Sequence, residues 1–74
     1  MTITLLTTPT CVPCKVLAKR LDDFGIAYKK LNALEHPEYV ITATPHIIVE
    51  YNGEIVKNEH VRNIPEMIQF LRAL

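Results

Sequence analysis

The sequence is poor in several residue types, and each shortage narrows the kind of protein it can be. It has no tryptophan, two glycines and two cysteines among 74 residues, and eight basic side chains balance eight acidic ones. Two cysteines three positions apart cannot form the disulfide framework of a small secreted domain. A net charge of zero provides no long-range attraction for nucleic acid or an anionic membrane surface, so we expect neither as a partner.

Long apolar runs are missing as well. No segment approaches the roughly 20 apolar residues that span a bilayer. The first residues, Met-Thr-Ile-Thr, lack the basic start and apolar core of a signal peptide. We therefore expect a reducing, cytoplasmic setting. With 49% hydrophobic and 22% charged residues, the chain can build one compact domain over residues 1–74. We expect that domain to be a monomer.

The hydrophobic pattern predicts the element order β-α-β-(α)-β-β-α. The predicted elements are a strand over Thr2–Thr7, a helix over Val12–Phe24, a strand over Ala27–Asn32, loose helical turns over Leu34–Val40, strands over His46–Tyr51 and Glu54–Lys57, and a helix over Ile64–Ala73. The first two strands are joined by a helix, so they should be parallel, and the last two should form an antiparallel hairpin. The predicted fold class is α/β, a four-stranded mixed sheet flanked by helices.

Local signals support these elements. Asn52-Gly53 between two apolar runs indicates a type I′ hairpin turn. Gly25 suits the left-handed position after the first helix, and two adjacent lysines in the second strand indicate a sheet edge. Apolar residues at helical spacing predict two buried faces, one of Cys14, Leu17, Ala18, Leu21 and Phe24 and the other of Ile64, Met67, Ile68, Leu71 and Leu74.

The two cysteines lie in a Cys-Val-Pro-Cys motif where the first strand passes into the first helix. The free N–H groups and the positive dipole end of a helix N-terminus favour an anion, so we expect the pKa of Cys11 to be lowered. Cys14 lies one turn deeper on the apolar face. These positions predict that Cys11 attacks a substrate disulfide and that Cys14 resolves the mixed disulfide. Val12 and Pro13 support the motif, since proline suits the first helical turn.

Other uses of a Cys-x-x-Cys pair remain alternatives at this point. A structural zinc site needs four ligands, and the sequence has no second cysteine pair or suitably spaced histidines, so we expect no metal centre. A Cu(I) carrier is the stronger alternative, because two thiolates suit that ion. Copper-carrying domains of this size, however, end in a strand after a β-α-β-β-α order. Two inert buried cysteines are a third alternative, which the strand–helix junction and Pro13 argue against.

The segment Thr8–Cys14, taken with Ala43-Thr44-Pro45 ahead of the third strand, resembles the glutaredoxins. Within that group the chain is most similar to the short NrdH-type redoxins, which are electron donors to ribonucleotide reductase. The resemblance implies a thioredoxin-like fold and a dithiol–disulfide oxidoreductase that acts on protein disulfides. It implies no cofactor beyond the redox-active Cys11–Cys14 disulfide, which needs an external reductant, either thioredoxin reductase or glutathione.

The resemblance also implies further site residues. A proline directly before the third strand has a cis peptide bond in this superfamily, so Thr44–Pro45 is predicted to be cis and to bind the substrate backbone beside Cys11. The loop that carries His60, Val61 and Arg62 corresponds to the one with which relatives contact glutathione or a reductase, which predicts partner contact there.

Several positions depart from the family pattern. Thr8 stands where many glutaredoxins carry a lysine, Thr10 where thioredoxins carry a tryptophan, and residues 57–63 lack the Gly-Gly that holds glutathione. Of the Trp-Ser-Gly-Phe-x-Pro that NrdH-type redoxins tend to have there, only Pro65 is present.

Two other residues allow both a functional and a structural interpretation. Lys15 could favour the thiolate of the motif, or it could be a solvated lysine on the helix surface. His46 could lie near the sulfur pair as a cation that favours thiolate, or it could be a strand residue whose ring is hydrogen-bonded.

Overall fold

The computed structural model describes all residues, 1–74, and has four strands and two α-helices. The elements are β1 (Thr2–Thr7), α1 (Val12–Asp23), β2 (Lys29–Asn32), a 3-10 turn (Ala33–Glu35), β3 (His46–Tyr51), β4 (Glu54–His60) and α2 (Ile64–Arg72). The strands form one mixed sheet in the order β2-β1-β3-β4. Strand β1 pairs in parallel with β2 and antiparallel with β3, and β3 pairs antiparallel with β4. The predicted four-stranded mixed sheet and the edge position of β2 are both confirmed.

The hairpin between β3 and β4 has the predicted turn. Asn52 and Gly53 both have positive φ, 53° and 80°, as a type I′ turn requires. The pairing then shifts by one residue, because Val49 lies opposite Lys57 whereas Glu50 lies opposite Ile55. Val56 is therefore an extra residue on β4, and the strand contains a β-bulge.

Helix α1 ends in the Schellman arrangement that Gly25 predicts. Gly25 has φ of 66°, its N–H donates to the Asp22 carbonyl at 3.0 Å, and the Ile26 N–H donates to the Leu21 carbonyl at 2.9 Å. These two bonds satisfy carbonyls that the end of a helix would otherwise leave unpaired. Ile26 packs against the core, so the chain turns directly back towards β2.

Both helices pack on one face of the sheet. On this face Ile3 lies opposite Val49 and Leu5 lies opposite Ile47. These four residues form one buried cluster with two residues of α1, three of α2 and one of the loop before α2: Leu17, Leu21, Met67, Ile68, Leu71 and Val61. On the opposite face Leu6 and His46 are paired and are also buried. The core thus packs the middle and the C-terminal half of α1 against β1 and β3, the two central strands.

Some predicted boundaries and burials are wrong. Strand β2 begins at Lys29 and not Ala27, and β4 continues past Lys57 to His60. The helical turns expected over Leu34–Val40 are a single 3-10 turn over Ala33–Glu35, which Asn32 caps through a 3.0 Å bond from the Leu34 N–H.

Phe24 and Leu74, each expected on a buried helix face, are 46% and 42% exposed. The Phe24 ring instead lies 4.6 Å from the Arg72 guanidinium.

Three strands separate α1 from α2, whereas the β-α-β-β-α order of the copper-carrying domains has two strands between its helices, so the element order differs from theirs. Neither helix has the length and apolar character that a membrane crossing requires.

Candidate active site

Cys11 is the N-cap of α1. Its backbone is extended, with φ of −85° and ψ of 104°, and its N–H donates to the Thr8 carbonyl at 3.2 Å. Its Sγ accepts a hydrogen bond from the Cys14 N–H, also at 3.2 Å. The sulfur therefore occupies the position that a serine or aspartate oxygen has in an ordinary N-cap. No acidic residue lies in the first turn of α1, so nothing there repels a negative charge on that sulfur.

The two cysteines form a disulfide in this structure, with their Cα atoms 5.2 Å apart. Their environments differ. Cys11 is half-buried, whereas Cys14 is 3% exposed and lies beneath the helix surface. An incoming thiolate can therefore reach the Cys11 sulfur more easily than the Cys14 sulfur. This asymmetry matches the roles of attacking and resolving cysteine expected from the sequence.

The residues between and before the cysteines are open to a partner. Val12 is 66% exposed, and Pro9, Thr10 and Pro13 are exposed. Pro13 lies in the first turn of α1, where an N–H has no partner within the helix, so the missing donor costs nothing. The surface around Cys11 thus contains small, mostly apolar groups without charge.

The Thr44–Pro45 peptide bond is cis, as the resemblance implies. Pro45 is fully buried, and its carbonyl accepts a 2.8 Å hydrogen bond from the Val61 N–H. The hydroxyls of Thr44 and Thr8 lie 3.3 Å apart. These two contacts bring three loops to one end of the sheet: the turn before α1, the loop before β3 and the loop before α2.

The loop before α2 holds the three residues predicted to contact a partner. His60 is half-buried at the end of β4, opposite His46, and Arg62 is exposed. Val61 is 4% exposed and its side chain belongs to the core. The side chains that this loop can offer to a partner are therefore His60 and Arg62. They line a pocket of about 500 Å³ between β4 and α2, together with Lys57, Glu59, Val61, Asn63, Glu66, Met67 and Phe70.

The side chain of His46 on β3 is hydrogen-bonded to that of Asn58 on the neighbouring strand β4. Nε2 of His46 lies 2.7 Å from Oδ1 of Asn58, and the histidine is 9% exposed. Because an amide oxygen can only accept, Nε2 carries the proton of this bond. Nδ1 is buried and has no hydrogen-bond partner. The structural interpretation of His46 thus accounts for one ring nitrogen and leaves the other unsatisfied.

Lys15 lies on the exposed side of α1 and lines a second pocket, of about 280 Å³, together with Cys14 and Lys30. Sequence reasoning missed that Lys30 lines a pocket with Cys14 and that Thr8 contacts Thr44. The first placement depends on the parallel register of β2 on β1, and the second joins two loops that are distant in the sequence. No local pattern in the sequence signals either placement. No three His, Cys, Asp or Glu side chains are grouped as a metal ion would require.

Comparison with known proteins gives a family and a fold. The family model described as Glutaredoxin matches residues 3–44, which include β1, α1, β2 and both cysteines. No individually curated protein matches the sequence significantly.

Among solved structures, thioredoxin 1 from the thermophilic eubacterium Thermosipho africanus TCF52B superposes with a TM-score of 0.76 at 20% identity, covering 99% of this chain and 92% of that one. The thioredoxin-like protein BC3987 superposes with a TM-score of 0.69 at 23% identity, covering 95% and 99%. At these identities the two structures show a shared fold.

Proposed function

This chain belongs to the glutaredoxin family, and on that premise we propose that Cys11 and Cys14 carry electrons from an external reductant to the disulfide of a protein acceptor. The protein is a thiol–disulfide oxidoreductase. The observation that supports the assignment of roles is the asymmetry of the pair, with Cys11 as a half-buried N-cap and Cys14 nearly inaccessible.

The reaction follows from that geometry in two exchanges. The Cys11 thiolate attacks one sulfur of the acceptor disulfide, a Cys11–acceptor bond forms, and the other acceptor sulfur leaves as a thiolate. The Cys14 thiolate then attacks Sγ of Cys11, which releases the second acceptor thiolate and closes the Cys11–Cys14 disulfide. Two electrons pass to the acceptor, and the protons of the protein dithiol pass to solvent and to the acceptor thiolates.

The cis-proline loop would hold the acceptor chain during this exchange. The Thr44 hydroxyl contacts the turn that leads to Cys11, and the Pro45 carbonyl is already used by Val61. The backbone of Thr44, in the loop that contacts this turn, is the group that would pair with an extended peptide. Exposed, uncharged side chains around the motif fit an acceptor segment of low charge.

Ribonucleotide reductase is the acceptor that we propose, because the chain resembles NrdH-type redoxins in its length and element order. A cytoplasmic location is part of this proposal. The reductant is thioredoxin reductase or glutathione, and it would dock on the pocket between β4 and α2, which His60 and Arg62 line and in which Lys57 is paired with Glu59.

Parallel turnover assays test the function. Reduction of a protein disulfide such as that of insulin is followed with NADPH and thioredoxin reductase, and separately with glutathione and glutathione reductase. We expect turnover with one of these systems, none with Cys11→Ser, and a dithiothreitol-sensitive adduct to the acceptor with Cys14→Ser. Undiminished turnover by Cys11→Ser, or stoichiometric Cu(I) binding without any turnover, would contradict the proposal.

The acceptor is tested separately, with ribonucleotide reductase as the only disulfide supplied. We expect deoxyribonucleotide formation that depends on the reduced protein and stops with Cys11→Ser. A protein that reduces insulin at an undiminished rate but leaves ribonucleotide reductase inactive would keep the oxidoreductase role and exclude this acceptor.

A further inference from the structure

A second pocket lies beside Cys14, on the flank of α1 that faces β2. It has a volume of about 280 Å³, and its lining includes Cys14, Lys15, Lys30, Thr7 and Asn32. None of its residues belongs to the Thr44–Pro45 loop or to the loop before α2. The pocket also borders the turn before Cys11 through Thr8 and Pro9, and the charged residues in its lining are two lysines.

The charge in this pocket has one sign. Lys15 and Lys30 both line it, and no acidic residue does. Neither lysine takes part in an ion pair, since the pairs in the structure are Lys19–Asp23, His36–Glu38 and Lys57–Glu59. Glu35 accepts a 3.2 Å hydrogen bond from the lining residue Asn32 through its Oε1, but does not itself line the pocket. Two lysines without an ion-pair partner thus line one pocket in a chain whose net charge is zero.

The sheet explains why Lys30 is in this pocket and Lys29 is not. Lys30 is paired with Leu5, whose side chain lies in the core beneath the helices, whereas Lys29 is paired with Thr4 on the alternate face. The two lysines are adjacent, exposed and on the same edge strand. They differ in the face of the sheet from which they extend.

We propose that Lys15 and Lys30 are positioning residues that stabilise negative charge on the Cys14 sulfur. This inference rests on the proposed function, in which Cys14 carries that charge twice. It must be a thiolate when it attacks Sγ of Cys11. It is also the leaving thiolate when an incoming reductant thiolate attacks Cys11, bonds to it and breaks the Cys11–Cys14 bond.

Burial alone opposes such a charge. A sulfur that is 3% exposed has lost most of its contact with water, and a thiolate is the form that suffers from this loss. No carboxylate lines the pocket to act as a base for the Cys14 thiol. Lys15 and Lys30 are the charged residues that line this pocket, and a positive charge there favours the thiolate.

The test measures Cys14 alone, in the Cys11→Ser background, so that no acceptor or reductant is involved. Lys30→Gln is compared with Lys29→Gln, its neighbour on the other face of β2, and with Lys30→Arg, which keeps the charge. The readouts are the pH dependence of thiolate absorbance and the rate of alkylation by iodoacetamide. We expect Lys30→Gln to lower the fraction of Cys14 thiolate at neutral pH by about threefold, and Lys15→Gln to act in the same direction.

Lys29→Gln should leave the titration unchanged, and Lys30→Arg should restore it. The effect of Lys30→Gln should also shrink at high salt, because the two lysines are exposed. A structural role of Lys30 would not show that salt dependence. Equal effects of Lys29→Gln and Lys30→Gln, or no shift in the Lys30→Gln titration, would overturn the proposal. Neither result depends on turnover, so failure of the proposed function would be seen separately, in the assays with an acceptor.

Discussion

The backbone N–H of Cys14 donates a hydrogen bond to Sγ of Cys11 across 3.2 Å. In the reduced protein this acceptor can be a thiolate, and a charged acceptor strengthens such a bond. The same sulfur also lies at the positive end of the α1 dipole. The local geometry of the helix N-terminus therefore favours ionisation of Cys11 and provides nothing equivalent for Cys14.

The first prediction concerns the reactivity of the two thiols. In the reduced protein just below neutral pH, we expect iodoacetamide to label Cys11 at least about tenfold faster than Cys14, because the Cys11 thiol is more exposed and is favoured as a thiolate. Peptide mass spectrometry after short labelling times measures both rates in one sample. Equal labelling of both cysteines, each with the alkaline pH dependence of a free thiol, would contradict the assignment of roles.

A second prediction concerns the packing beneath the motif. Leu17 is fully buried in the cluster that fastens α1 to the sheet, whereas its neighbour Val16 is 42% exposed. We expect Leu17→Ala to lower the free energy of unfolding by about 2–5 kcal/mol through lost burial and a residual cavity. Val16→Ala on the same helix should change it by less than about 0.5 kcal/mol. Urea unfolding followed by circular dichroism compares the two, and equal losses would show that α1 is not packed as described.

His46 and Asn58 provide a third prediction. Asn58→Leu removes the acceptor of the 2.7 Å bond and leaves both ring nitrogens of a buried histidine without a protein partner. We expect a loss of about 1–3 kcal/mol in the free energy of unfolding. Asn58→Asp keeps an oxygen acceptor and should retain most of the stability. His46→Phe removes the unsatisfied Nδ1 as well, so it should be less destabilising than Asn58→Leu.

Unchanged stability of Asn58→Leu would mean that water replaces the Asn58 acceptor. The bond between His46 and Asn58 would then not be the reason for a histidine at this position.

The fourth prediction concerns Tyr28. Burial and then the negative charge and hydrogen bonding of Asp22 raise the pKa of its phenol above the ordinary value of 10.0. Because the folded value exceeds the unfolded one, the folded state binds this proton more tightly. The stability contribution is complete below about pH 10 and is lost as the pH rises through the folded pKa.

Tyrosinate absorbance tests this assignment. The titration step that disappears in Tyr28→Phe should be the most alkaline one, and Asp22→Asn should move it to lower pH. Asp23→Asn is the matched control, since Asp23 pairs with Lys19 and does not affect Tyr28. An equal shift in both aspartate variants would exclude a specific effect of Asp22.

The parts of the fold that could be predicted are those with local causes. The hairpin follows from Asn52-Gly53, because few other dipeptides accept positive φ at both positions. The length of α1 follows from the turn at Cys11 and from Gly25, which end the helix by local hydrogen bonds. The cysteine pair belongs to the same class, since its position at the strand–helix junction can be seen in the sequence.

Features that depend on distant partners could not be predicted. Residues 58–60 have no strand pattern of their own, and they extend β4 because β3 provides a ladder as far as His46. Strand β2 begins at Lys29 because its parallel pairing with β1 begins at Thr4. Phe24 and Leu74 continue the apolar helical spacing of α1 and α2 in the sequence, but both lie beyond the last residue of their helix. Their side chains are therefore not buried with the rest of the helix face.

In the site as well, the features with local causes could be predicted from the sequence, and those that depend on distant residues could not. Lys30 comes next to Cys14 only through the register of β2 on β1. Thr8 meets Thr44 only because β1 and β3 are neighbours in the sheet. A sequence pattern reports neighbours along the chain, whereas these contacts depend on the assembled sheet.

The bulge at Val56 has a consequence for how the protein behaves at high concentration. Each outer strand of a sheet has unpaired N–H and C=O groups that could recruit a second molecule into a growing fibril. The edge strand β2 is only four residues long and contains two lysines, and in the other edge strand, β4, the register of pairing shifts by one residue at Val56. Neither edge strand therefore offers the flat, regular hydrogen-bonding edge on which a fibril grows. Deletion of Val56 would remove the bulge from β4, so we expect concentrated samples of that variant to form amyloid more readily.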